Sequence, residues 1–466
     1  GEEPEWAVSN ELKNKNGLMH IVARVTIDKR VSTDRRDMLA AFSPSQEVMG
    51  VAHVEVDQTA NANEALTYLT VYGDPKENTP LNFRFYDAST GKIHILYTQD
   101  NQNIKFYADS ILGSSAEPVM LENMGDEVQT IDLAEGWNWV SVKVVLEDSI
   151  TVGSLLNGAA KWEEGDAIEV VREGKANVIY CWKADNTWHY KWDKEDQLID
   201  LDPRIMYRVY SNSPKKVSIR GAYSYCYIDV KQGWNRIGYQ SPINLPISQA
   251  MNEYTMVGSE GDVLKSQDAF AVLSKNSNGQ LIWKGSLLYM EQGKGYMLKR
   301  KDAKPVSFMN PLYYNDNRYA GAGDTPNMAP LFDNRTATTM TMVAKTEGVE
   351  LQAGDRLMAY VDGQLCGMAE SQSDGSFYMN IGSAETAPIV FCIERDGQTI
   401  AAVKNGMNYT ADAMVGTPAE PTVISFTNID NYTDGHWYTL DGHLLEKQPQ
   451  RKGFYTHNGK IEIIKR

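Results

Sequence analysis

Two pairs of internal repeats limit what this chain can fold into more than any other feature. Gly136-Trp137-Asn138-Trp139-Val140-Ser141 returns as Gly233-Trp234-Asn235-Arg236-Ile237-Gly238. An isoleucine follows each opening glycine at the same distance, as Ile150 and Ile247. Gly165-Asp166-Ala167-Ile168 is echoed by Gly261-Asp262-Val263-Leu264. A second pair brackets the first. Asp37-Met38-Leu39-Ala40-Ala41-Phe42 with Gly50-Val51-Ala52 is matched by Asp355-Arg356-Leu357-Met358-Ala359-Tyr360 with Gly367-Met368-Ala369. Repeats at these periods mean stacked or strung modules rather than one catalytic body.

The chain has 466 residues, too many for one core, which predicts about three or four domains. Charged residues make up 23% and the hydrophobic set 42%, an ordinary globular balance that argues against disorder over most of the length. With 25 Tyr, 10 Trp and 36 Gly, strands and turns are favoured over helices. The formal net charge of −16 repels phosphate backbones and anionic membranes, so nucleic acid is excluded as a partner. No stretch approaches the length of apolar sequence that spans a bilayer as a helix. No signal peptide is visible. Gly1 reads like a protease scar, which leaves room for a removed leader, so the missing signal peptide says nothing about compartment.

The pattern predicts a mainly β, multi-domain chain: two β-sandwich modules flank two related β-rich repeat units, with short helices only. Residues 1–125 read as the first sandwich copy, with Leu81-Asn82-Phe83-Arg84-Phe85 alternating as a half-buried strand should. Its closing signature, Ala108-Asp109 with Leu112-Gly113 and Pro118, recurs as Ala411-Asp412 with Val415-Gly416 and Pro421. That places the second sandwich copy at residues 327–430, with Pro388 to Ile393 standing where Leu81 to Tyr86 stood. Residues 126–218 and 219–310 are the two Gly-Trp-Asn units. Each has a brief helical turn, Ile150 to Leu156 and Ile247 to Met251. Residues 311–326 read as a linker, and residues 431–466 as a β tail with three short strands.

The Gly-Trp-Asn openings, the Gly-Asp middles and the closing Gly293-Lys294-Gly295-Tyr296-Met297 resemble modules of secreted and cell-surface proteins of the Bacteroidetes. Leu281-Ile282-Trp283-Lys284-Gly285 fits the same pattern. Tyr438-Thr439-Leu440-Asp441-Gly442 with Lys452-Gly453-Phe454-Tyr455 and Asn458-Gly459-Lys460 resembles their C-terminal tail, which in relatives is linked to sorting at the outer membrane. The first unit departs from the pattern, with Ile205-Met206-Tyr207 in place of Gly-x-Gly-Tyr. The resemblance implies a secreted or outer-surface, multi-module protein of adhesion or scaffold type.

The densest candidate for ligand binding runs from Val178 to Trp192, a hairpin turning at Asp185-Asn186. A three-residue loop pairs Trp182 with Trp188 and Tyr180 with Tyr190 on one face. A two-residue loop puts Tyr180 and Trp182 on the face opposite Trp188, Tyr190 and Trp192. A flat aromatic face stacks on the apolar C–H surface of sugar rings; the alternative use of such rings is core packing. Trp188 has a counterpart in Trp283, which reads as structural, leaving Trp182 and Trp192 as the functional candidates. Tyr223-Ser224-Tyr225-Cys226-Tyr227 alternates as a strand with three tyrosines on one side.

Asp430, Asp434 and Asp441 surround a glycine turn in the manner of a calcium loop, but Tyr432 occupies a ligand position and the final Glu is missing. No other metal or cofactor pattern occurs. Asp193, Glu195, Asp196, Asp200 and Asp202 read as a solvated acidic face. Among the cysteines, Cys181, Cys226, Cys366 and Cys392, no C-x-x-C pair exists. Cys366 and Cys392 fall in one module and either oppose each other as a disulfide or stay as isolated buried thiols. The metalloprotease, serine-hydrolase and phosphate-loop motifs are missing, so an enzyme is not expected. The leading expectation is a non-catalytic surface protein that adheres to a host or cell-surface macromolecule or glycan. Two others stay open: a purely structural stalk, and a carbohydrate-active enzyme whose site assembles only in three dimensions.

Overall fold

The computed structural model describes residues 3–43, 47–56, 65–99, 104–123, 126–145, 165–172, 175–184, 187–191, 201–223, 226–241, 243–311, 329–426, 433–440 and 442–464. Strands dominate, and helices among these residues are limited to Asn10–Lys13, Ile247–Ala250 and Asn252–Val257.

In the first module β1 (Gly17–Ile27) is the organiser. Met19, Ile21, Ala23 and Val25 are buried, while Leu18 and His20 face outward, the two-residue period of a half-buried strand. The module continues with β2 (Arg30–Val31), β3 (Met38–Phe42), β4 (Val48–Glu55), β5 (Leu66–Gly73), β6 (Asn82–Asp87), β7 (Lys92–Thr98), β8 (Ser110–Leu112) and β9 (Val119–Asn123). Their pairing order is β2-β1-β5-β4-β3-β6-β7-β9, and β9 returns to β1 as a parallel neighbour. The sandwich copy is therefore joined at both edges, by β4 to β5 and by β7 to β9. Phe83, Phe85, Phe106 and Leu69 fill its core.

The Gly-Trp-Asn units come next. The first contains β10 (Asp126–Leu133), β11 (Gly136–Val140), β12 (Val144–Val145), β13 (Asp166–Arg172), β14 (Lys175–Ala184), β15 (Thr187–Lys191), β16 (Tyr207–Ser211) and β17 (Lys215–Tyr223). The second contains β18 (Ile228–Val230), β19 (Gly233–Ile237), β20 (Leu245–Pro246), β21 (Val263–Lys265), β22 (Phe270–Lys275), β23 (Leu281–Gly285), β24 (Tyr289–Met290), β25 (Tyr296–Arg300) and β26 (Val306–Phe308). Their central sheets run β11-β16-β13-β14-β15 and β19-β25-β21-β22-β23, the same order strand for strand.

The repeated residues explain why. Asn138 donates to the carbonyls of Ala134, Gly136 and Val209 and accepts from the Ala134 amide. Asn235 donates to Lys231, Gly233 and Leu298 and accepts from the Lys231 amide. One side chain thus closes the turn before the strand and ties it to its neighbour. The fully buried Asp166 and Asp262 accept from the equivalent amides of Asn212 and Lys301. Gly136 and Gly233 sit at φ 95° and 90°, a region that favours glycine.

The second flanking module repeats the first. Its strands are β27 (Met340–Glu347), β28 (Arg356–Val361), β29 (Gln364–Glu370), β30 (Phe377–Ile381), β31 (Pro388–Arg395), β32 (Gln398–Asn408), β33 (Met414–Val415) and β34 (Thr422–Ser425). β27 pairs antiparallel with β30 and parallel with β33 and β34, as β1 does with β5, β8 and β9. β28 pairs with β29 and β31, as β3 does with β4 and β6, and a bulge falls after Ala359 as it does after Ala41. The two layers stay separate here, as β30-β27-β33 with β34 and as β29-β28-β31-β32.

The tail forms a sheet β36-β35-β37-β38 from β35 (Trp437–Thr439), β36 (Leu444–Leu445), β37 (Gly453–His457) and β38 (Lys460–Ile464). It has four strands where three were expected, because Leu444–Leu445 adds a short edge. Phe454 and Ile461 pack on Met358, Tyr360, Cys392 and Ala402 of the β28–β31–β32 face. The sheet therefore separates the two cysteines of this module: Cys366 points into the sandwich core and Cys392 toward the tail. Both are free buried thiols, so the disulfide alternative is overturned by their placement on opposite faces.

Candidate functional site

The two Gly-Trp-Asn units meet along equivalent surfaces. The Ser141 amide donates to the Gly293 carbonyl, and the Gly238 amide donates to the Arg204 carbonyl. Ser141 and Gly238 occupy the same place in their repeats, as do Gly293 and Arg204, so the contact has an approximate two-fold relation. Met206 and Gly295 face each other near that axis. A Cβ on Gly295 would lie 2.1 Å from Met206 Cγ, so the first unit's departure from Gly-x-Gly-Tyr fills the space that the second unit's glycine leaves. Across the axis Glu169 is paired with Arg236, and within its own unit with Arg208. Its counterpart Lys265 lies over Trp139 at 5.7 Å, where Trp139 stands in the place of Arg236.

Lys265 is fully buried. Its ammonium lies 4.5 Å from the Trp234 ring centre and donates at 2.9 Å to the Thr339 carbonyl and to Asp412 Oδ1 in the second flanking module. Loss of solvent holds its pKa down, to about 8, against the opposing pull of Asp412. Around it Phe270 meets Tyr378 at 5.5 Å, and Val263, Val272, Val343 and Tyr378 form one apolar cluster. Asn380 donates to the Ser266 carbonyl, and Gln267 bridges Trp137 and Thr336. This is a buried junction of two units and one module, in which Glu169, Arg208, Arg236 and Lys265 each have an ionic partner.

Beside it opens a cleft of about 540 Å³, between Trp139, Gln267, Asp268, Lys294 and Arg335. A second hollow of about 400 Å³ shares Asp268 and Lys294 and reaches Phe332 and Tyr378. Burial pushes the Asp268 carboxyl up to about 6, and one of its oxygens accepts the Asn334 amide at 2.8 Å. Lys294 is held by Glu291 at 2.7 Å, and Arg335 by Asp333 at 2.7 Å. The cleft's two cations, Lys294 and Arg335, are thus each held by one of its acids, and Asp268 is held by a backbone amide.

No family model and no curated protein matches the chain. Among solved structures it is similar to a backbone pilin of Streptococcus pyogenes, at 8% identity and a TM-score of 0.12, covering 98% of this chain and 90% of that one.

The sequence candidates fall as follows. Residues 180, 182 and 190 are described by backbone register alone. Ala184 pairs with Thr187, Trp182 with His189 and Tyr180 with Lys191, which is the two-residue-loop register and not the one that gathers the rings on one face. Trp192 lies outside the described residues, as do Asp430, Asp441, Asp193, Glu195, Asp196 and Asp200. Asp434 is occupied locally, accepting from the Tyr438 hydroxyl and the His436 amide. Asp202 is taken by Arg204. Trp283 is structural, stacked on Tyr254 and bonded to Thr255. The segment Tyr223 to Tyr227 is not one strand: β17 ends at Tyr223, and Tyr227 is buried against Tyr97 and Met309 of the packing between first module and second unit. The helix expected over Ile247 to Met251 is followed directly by Asn252–Val257.

One surface carries no motif. The outer face of β5-β1-β8 exposes Tyr68, Ile111 and Leu18 at 48%, 73% and 38%, with Tyr107 beside them at 49%. Its signal in the sequence is the alternation of β1, which sets Leu18 and His20 opposite the core.

Proposed function

We propose that this chain is a non-catalytic, exported surface protein of adhesion or scaffold type, which works by docking sheet faces. What supports this reading is the use of the outer faces in the two flanking modules. The β3–β6–β7 side of the first module is covered, with Phe42 under Trp6 and Tyr97 under Tyr227. In the second module the tail covers one face and the second Gly-Trp-Asn unit the other. The fourth, β5-β1-β8, is left open with large apolar side chains on it, the signature of a contact surface.

No helix among the described residues is long and apolar enough to cross a membrane, and residence outside the cell rests on the tail and repeat resemblance. A glycan and extracellular-matrix array tests the reading. Binding to at least one target that falls about tenfold with Tyr68→Ala is expected. Silence of the wild-type chain on every target would leave the purely structural stalk. The hairpin candidates are tested in the same assay: unchanged binding in Trp182→Ala and Trp192→Ala removes both residues from the contact.

A further inference from the structure

The open face has a covered twin in the same chain. Register aligns them residue by residue. Val22 pairs with Tyr68 as Val343 pairs with Tyr378, and His20 pairs with Ile111 as Thr341 pairs with Met414. The Asp109 amide donates to the Leu18 carbonyl, and the Asp412 amide donates to Thr339. Asp109 and Asp412 share the left-handed conformation, at φ 61° and 57°. So Tyr68, Val22, Ile111 and Asp109 reproduce Tyr378, Val343, Met414 and Asp412. Those four receive the second unit, with Phe270 on the tyrosine, Val263 and Val272 on the aliphatic side chains and Lys265 on the aspartate. Tyr378 is 5% exposed, whereas Tyr68 is 48% exposed.

We infer that the β5-β1-β8 face is a receptor for a Gly-Trp-Asn-type sheet on another polypeptide, one that brings an aromatic ring to Tyr68, aliphatic side chains to Val22 and Ile111, and a lysine to Asp109. This rests on the docking reading above and names its partner. Charge selects the occupant. The exposed Asp109 calls for a cation where Lys265 meets Asp412. The first unit of a second copy does not supply it, because Glu169 stands at the lysine's position, like-charged with Asp109 and already held by Arg208 and Arg236. The second unit of a second copy has the lysine but is covered by its own module.

The probe is therefore the full chain with its second unit uncovered by Tyr378→Asp and Asp412→Ala, and with its own receptor face blocked by Tyr68→Asp. Mixed with the wild-type chain in sedimentation velocity, it is expected to form a one-to-one complex. Asp109→Lys in the receptor weakens that complex about tenfold, and Lys265→Asp in the probe restores it against that receptor alone. Where Tyr378→Asp prevents cooperative melting of the probe, Tyr378→Ala replaces it beside Asp412→Ala and Tyr68→Asp, removing the ring that covers Phe270 without burying a charge. Absence of a complex with a folded probe overturns the inference, as does a complex indifferent to Asp109→Lys. A wild-type dimer abolished by Tyr68→Asp assigns the face to a second copy and also overturns it. Array binding that depends on Tyr68 while no complex forms with the probe sinks this partner and leaves the docking reading standing.

Discussion

The two asparagines of the repeats show how much one side chain does here. Each of Asn138 and Asn235 satisfies a turn amide and three carbonyls. Removing such a side chain leaves backbone groups unpaired, at roughly 1–3 kcal/mol for each one that stays dry. Asn138 is the more buried of the two, at 4% exposure. Asn138→Ala is therefore expected to cost about 3 kcal/mol and Asn235→Ala somewhat less, as read from denaturant midpoints. Asp268 carries the opposite sign. Its folded pKa is raised to about 6, so the folded state binds the extra proton. The stability it contributes is present below its unfolded value near 4 and is lost as pH rises through 6. Asp268→Asn keeps an oxygen for the Asn334 amide and has no proton to lose. It is expected to stabilise the chain by about 1–2 kcal/mol at pH 7.5 and by nothing near pH 4. Equal melting temperatures of variant and wild type at pH 7.5 would show that the carboxylate is solvated.

At the scale of elements, the closing signature of the flanking modules is a turn specification. Gly113 and Gly416 have φ of 77° and 71°. A Cβ on them would lie 2.5 Å from the Val22 carbonyl oxygen and 2.2 Å from that of Val343. Ser114 and Thr417 then use their hydroxyls on the amides of Glu117 and Glu420. Gly113→Ala and Gly416→Ala are each expected to cost more than about 1 kcal/mol, because strain and a backbone collision add; a thermal melt that does not move in either variant contradicts this. These turns were legible in the sequence because φ above zero selects glycine and a Cβ collision preserves it. So were the Gly-Asp and Gly-Trp-Asn strands, where a fixed backbone demands a fixed side chain. The hairpin register at residues 184–187 was left between two loop lengths, since Asp185-Asn186 suits either. Of the open face of β5-β1-β8 only the alternation of β1 was legible. Leu18, Tyr68 and Ile111 come from three strands separated in sequence, and only the pairing register brings them together. The separation of Cys366 from Cys392 hid for the same reason: Cys366 is the residue skipped at the bulge after Ala359, while Cys392 pairs with Met358 in an unbroken register.

For the whole molecule, the tail is a working part of the fold and not a loose end. Tyr360 meets Phe454 edge-on at 4.7 Å, and Cys392 lies beneath the contact, its thiol pushed up by burial. Neither Cys366 nor Cys392 should react with a thiol reagent in the native chain. Phe454→Ala with Ile461→Ala should accelerate labelling of Cys392 and leave Cys366 slow, as read by mass spectrometry; equal acceleration of both would mean that the module had opened as a body instead of shedding its tail. The paired middle units carry a further consequence. At the axis where Met206 fills the hollow at Gly295, a complex of two first units would set methionine against methionine, and one of two second units would leave glycine opposite glycine and a void. At this point neither half offers its own likeness the fit that the two give each other. The tandem is a matched odd couple, and its covalent linkage sets each half beside a neighbour whose contour it fits.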